Sequence, residues 1–142
     1  MGRIININSV GKERTYLTKA IVASIRVLSM QAETGIEAKD LVAFIIISLR
    51  IISGSIESSV QAWEKRDYWV KADKFRIEWT WTGRISEKLY EALLKEDWGE
   101  ITQLVIQIGQ KLGRVNLSAK NRLGTPWKGS WNELKKQISK SG

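Results

Sequence analysis

LVAFIIISLRII, residues 41–52, is apolar at ten of its twelve positions, with Ser48 and Arg50 as the exceptions. A run this rich in β-branched residues suits a buried strand as well as a helix. Its length and the helical spacing of the flanking segments favour the helix. A helix that is apolar nearly all round has to be covered by other helices or by a partner chain. The chain is therefore expected to be all-α, a single-domain bundle of four to five helices over residues 1–113 with a short extended N-terminal arm. Residues 114–142 form a basic C-terminal extension that ends in a short helix. Only nine uncharged residues, Leu41 to Leu49, precede Arg50. A membrane span needs roughly 20, so no membrane partner is expected.

Upstream, Lys12, Lys19, Arg26 and Glu33 recur every seven residues. They form one polar stripe on a helix from about residue 12 to 31, and the rest of its circumference is largely apolar. RIININ, residues 3–8, alternates weakly and reads as an extended arm or short strand. Thr34-Gly35 separates this helix from the apolar one, and Gly54, between two serines, marks a kink or an end. Residues 56–81 contain neither glycine nor proline and read as one long helix, closed by Thr82-Gly83. A short amphipathic helix then spans 85–95. Asp97 followed three residues later by Glu100 opens another, a variant capping box, which Gly113 closes. Ser130 and Glu133 form a second S-x-x-E box at the start of the last helix.

Composition excludes much chemistry. The chain has no cysteine and no histidine, so disulfides, thiolate catalysis, zinc sites and imidazole acid/base work are all closed to it. Three carboxylate pairs fall on helical faces: Glu37 and Asp40, Glu87 and Glu91, Asp97 and Glu100. All-α nucleotide pyrophosphohydrolases hold Mg²⁺ with a Glu-x-x-Glu pair followed by Glu-x-x-Asp. This chain has Glu-x-x-Asp first and lacks a proper Glu-x-x-Glu beside it, while Glu37 and Asp97 already serve helix starts. No cofactor and no metal ligand set is assigned, and an enzyme is the lesser expectation. The N-terminus lacks the apolar core of a secretory signal, so a cytoplasmic location is expected.

Two groups of residues stand out as candidates. WEKRDYWVKADKFRIEWTW, residues 63–81, holds four tryptophans and nine charged residues. Packing between layers of the bundle is the first reading of these rings. As interface or ligand residues the candidates are Trp63, Arg66, Asp67, Trp69, Asp73, Arg76 and Trp79, because Trp and Arg anchor protein interfaces and also stack on rings. Arg50 joins them, since an unpaired charge in an apolar helix is costly: it either reaches the helix's one wet edge or pairs with a carboxylate on the next helix, and a pair with Asp67 or Asp73 is expected. The second group is the tail. Residues 111–142 carry eight Lys or Arg against one acid, of the chain's net +8. Arg122, Trp127, Lys128, Trp131, Lys135 and Lys136 interleave cations with rings, the pattern by which phosphate attraction and base stacking combine. The same two tryptophans would equally pin the tail onto the bundle or a neighbouring subunit.

The expected function is protein association, with a homodimer as the assembly. Nucleic-acid binding through the tail is the alternative, and a Mg²⁺-dependent nucleotide hydrolase the second alternative.

Overall fold

The computed structural model describes residues 7–115 and 124–141, and among these every regular element is helical. The order is α1 (Ile7–Ser29), α2 (Ile36–Lys65), α3 (Trp69–Trp79), α4 (Trp81–Leu94), α5 (Trp98–Lys111) and α6 (Ser130–Ser141). The protein is thus an all-α bundle. Its axis is α2, against which α1, α3, α4 and α6 each pack, while α5 closes on α4 and only grazes α1. Leu41, Val42, Ile45, Ile46, Leu49, Ile52, Ile56 and Val60 of α2 are all buried. Each such side chain contributes roughly 1.5–3 kcal/mol on leaving water. By length and composition α2 is apolar enough to cross a bilayer, but 56% of its most apolar window is buried inside the bundle.

Several expected boundaries move. Ile7 and Asn8, at the end of RIININ, already belong to α1; the first four residues of that motif lie outside the described residues. Gly54 does not end α2, which continues to Lys65. Gly83 does not end a helix either. It lies inside α4, where an added Cβ would come within 2.9 Å of Ser53 Oγ on α2, so its small size serves close helix contact.

The segment expected as one helix over 56–81 breaks at Arg66–Tyr68. Asp67 takes φ 62°, Tyr68 N–H donates to Trp63 O at 2.9 Å, and Asp67 N–H donates to Glu64 O at 3.1 Å. This is a Schellman ending with aspartate at the left-handed position that glycine usually fills. Asp67 and Lys71 are therefore not neighbours on one helical face. The turn after α4 repeats the device: Glu96 has φ 53°, Asp97 N–H reaches Ala92 O and Glu96 N–H reaches Leu93 O. Asp97 then caps α5, accepting from Glu100 N–H at 3.1 Å. Between α3 and α4 only Thr80 intervenes, itself in right-handed helical conformation.

The C-terminal segment is docked as well as basic. Trp127 and Leu134 are buried, and Trp131 packs against the core. Asp40 near the start of α2 accepts hydrogen bonds from the backbone N–H groups of Gly129 at 3.2 Å and Trp131 at 2.9 Å. A carboxylate from one helix thereby satisfies the orphan donors at the start of another.

Two substitutions test these assignments in urea unfolding. A methyl group added at Gly54 would meet no heavy atom within 4 Å, so Gly54→Ala is expected to stabilise by about 0.5–1 kcal/mol. Asp67→Gly relieves a left-handed backbone and should gain a similar amount, about 0.5–1 kcal/mol after glycine's own entropic cost. A loss of stability in either variant would contradict the continuous α2 or the Schellman turn respectively.

Candidate functional site

The turn at Asp67 folds α3 back against the C-terminal end of α2 and creates an aromatic corner. Trp63 of α2 meets Phe75 of α3 edge-on, with ring centroids 4.8 Å apart and planes at 79°. Phe75 meets Trp79 at 6.3 Å in a tilted arrangement. On the inner side Arg14 of α1 lays its guanidinium 4.8 Å from the Phe75 centroid and 6.0 Å from that of Trp79. On the outer side the Lys71 ammonium sits 4.7 Å from the Trp63 ring centroid. Arg76 bridges the two helices, reaching Glu64 of α2 at 3.2 Å and Asp73 of its own helix at 3.1 Å. Trp63, Asp67, Tyr68, Trp69, Lys71 and Phe75 contribute to the lining of an open cleft of about 750 Å³ at this corner.

Most of the residues singled out in 63–81 are therefore gathered here. Trp63, Trp79 and Arg76 are half-buried; Trp69, at 54% exposure, and Asp67 face outward. Asp73 is engaged by Arg76. Arg66 is exposed and does not line the cleft. Arg50 is a correction: it pairs with neither Asp67 nor Asp73. Its guanidinium lies 4.8 Å from the Tyr90 ring centroid, against α4, where a π face and partial exposure replace the expected carboxylate.

The residue missed was Arg14. Val10, Arg14, Leu17 and Ile21 follow the i, i+4, i+7, i+11 spacing of a core face, opposite the Lys12 stripe. A cation on that face is the signal the sequence offered. Among the described residues Arg14 donates to Ser59 Oγ, at 3.4 Å, while its Nε is buried without a partner. Burial pushes its pKa below the ordinary arginine value, so at neutral pH the desolvated charge works against folding, and this cost eases only as pH rises through the lowered pKa.

In the tail group, Trp127 is 5% exposed, and its indole N–H is buried without a partner among the described residues. It offers no face for a base to stack on, which removes it from that set. Trp131 is half-buried, with the ammonium groups of Lys39 and Lys135 at 5.9 and 5.3 Å from its ring centroid. Lys128, Lys135 and Lys136 are exposed; Arg122 lies outside the described residues. Two of the carboxylate pairs have structural tasks: Asp40 holds the start of α6, and Asp97 caps α5. Among the described residues no three acidic side chains converge as a metal site.

Arg14→Met keeps a flexible, polarisable chain against Phe75 and Trp79 while removing the desolvated charge, so its stability should equal or exceed that of the parent. Arg14→Ala also loses the stacking and should cost roughly 1–2 kcal/mol. Denaturant unfolding of the two variants checks this, and equal losses in both would show that the charge itself is needed. Asp40→Ala should cost about 1–2 kcal/mol, as lost N-caps do, and hydrogen exchange should rise in α6 before it rises in α2.

Compared with known protein families, with curated proteins and with solved structures, the chain matches none.

Proposed function

We propose that the protein works by association, through the outer side of α3, with a second copy of this chain. The observation that carries this reading is that α3 buries one residue alone, Ala72. Eleven residues are too few for a helix to be stable unaided in water, and α3 is held by Phe75 and Trp79 on its inner side. Outward it presents Trp69, Val70 and Ile77 at 54, 70 and 77% exposure, with Tyr68 beside them at 55%. Adjacent apolar and aromatic side chains left in water in this way are the anchors of protein interfaces.

The charges on the same side support a second copy. Lys71 stands near the start of α3, Lys74 at its middle and Glu78 near its end, all exposed. Two α3 helices crossing antiparallel about a twofold axis near Lys74 bring Lys71 of each towards Glu78 of the other, and Val70 towards Ile77. The Lys71–Glu78 and Val70–Ile77 pairs are self-complementary, as a twofold interface requires, while the two Lys74 side chains meet near the axis and oppose the contact. One short helix per protomer makes a small interface, so the expected affinity is on the order of micromolar.

Sedimentation equilibrium and light scattering test the reading. Ile77→Glu should weaken dimerisation about tenfold or more. Lys71→Glu and Glu78→Lys should each weaken it, and the double variant should recover most of the loss, because the reversed charges again face their opposites. A parent chain that stays monomeric at about 100 μM, two orders above the expected constant, would defeat the proposal.

A further inference from the structure

A second cleft, of about 460 Å³, lies on another side of the bundle, between the C-terminal half of α1, the α1–α2 loop and α5. It exists because α1 and α5 both pack on their neighbours yet scarcely touch each other. Its walls are apolar, formed by Ile25, Leu28, Trp98, Ile101, Val105 and Ile106. Ile106 remains 55% exposed, so the wall is not satisfied by the chain's own packing. At the loop end stand Glu33 and Thr34, both exposed to solvent. Neither side chain has a hydrogen-bond or ion-pair partner among the described residues, whereas the Ser29 and Thr102 hydroxyls in the same lining donate to backbone carbonyls. Glu33 is the sole charged group among the described residues of the lining.

We propose that this cleft binds a small amphiphile with an alkyl body and a protonated amine head. The volume falls in the range of small-molecule sites, and the apolar walls take the alkyl body. The Glu33 carboxylate selects the head group: it attracts an ammonium and repels a carboxylate or phosphate, and no cation among the described lining residues offsets that repulsion. This inference is independent of the α3 interface, since the two sites share no residue.

Gly109 supplies the decisive variant. It lies on the cleft stripe of α5 with Thr102, Val105 and Ile106, and a Cβ there meets no heavy atom within 4 Å. Gly109→Leu should therefore fold, with a gain in helix propensity, and place its side chain in the ligand's space. Calorimetric titration of the full chain with octylamine, octanoate and octan-1-ol at neutral pH is the test. Octylamine should bind about tenfold more tightly than octanoate. Glu33→Gln should erase that preference and leave octan-1-ol binding as it was, and Gly109→Leu should abolish binding of all three. Absence of binding by octylamine, equal affinity for octanoate, or undiminished binding in Gly109→Leu would each overturn the proposal. So would loss of the parent chain's self-association in Gly109→Leu, which would place a second copy over the cleft.

Discussion

The whole arrangement follows from having to cover α2. A thirty-residue helix with buried side chains on nearly every side of its middle cannot be satisfied by one neighbour. Along its length it is enclosed by α1, α4 and α6, and the hydrogen bonds from Gly129 and Trp131 to Asp40 tie the last of these in place. At its C-terminal end the cover is thinner. There α3 must serve, and it does so with bulky rings, Phe75 and Trp79, and not with an interlocking row of small aliphatic residues. The aromatic excess in 63–81 is thus first of all a means for a short helix to cover much area with few side chains.

The class of fold was legible because it rests on periodicity and length, which a sequence displays directly. Residues 41–52 demanded cover, and the amphipathic patterns of α1, α4 and α5 supplied it. The breaks were less legible. Glycine reads as punctuation, yet Gly54 and Gly83 lie within helices, while the two turns that reverse the chain put Asp67 and Glu96 at φ 62° and 53°. An acidic residue in the left-handed region costs roughly 1–2 kcal/mol locally. Tertiary packing of the rings on either side of Asp67 can offset that cost, and no local rule for turn residues contains the packing term. The N-cap at Asp97 was legible for the opposite reason, since its acceptor and its donor, Asp97 and Glu100, lie three residues apart, although Asp97 N–H goes to Ala92 O and the reciprocal half of the box does not form.

The charges show the same division. Arg50 attracts notice because its neighbours in sequence are apolar, but a helix position next to apolar residues can still reach an aromatic face, and Tyr90 is that face. Arg14 draws none because its neighbours in sequence are polar, although its neighbours at i+3 and i+7 are Leu17 and Ile21. Helical spacing, not adjacency, reports the environment of a side chain. Asp40 illustrates the remaining limit: its two partners lie about ninety positions away, and no pattern within α2 announces them.

The two clefts differ in what made them. At the α2–α3 corner the chain has committed its cations and acids to each other and to rings: Arg76 to Glu64 and Asp73, Lys71 to Trp63, Arg14 to Phe75 and Trp79. What remains outward is apolar surface with the exposed Lys71, Lys74 and Glu78 beside it, the small face proposed to meet a second copy. Between α1 and α5 the reverse holds. The apolar walls face one another across a recess, and the charge there, Glu33, is left without a partner among the described residues. The recess is half-open, with the exposed Glu33 at its loop end, and the proposed guest would be told apart by its alkyl body and its head group. The same requirement to enclose α2 thus leaves two surfaces of different kind, an outward apolar helix face at the α2–α3 corner and an apolar recess between α1 and α5.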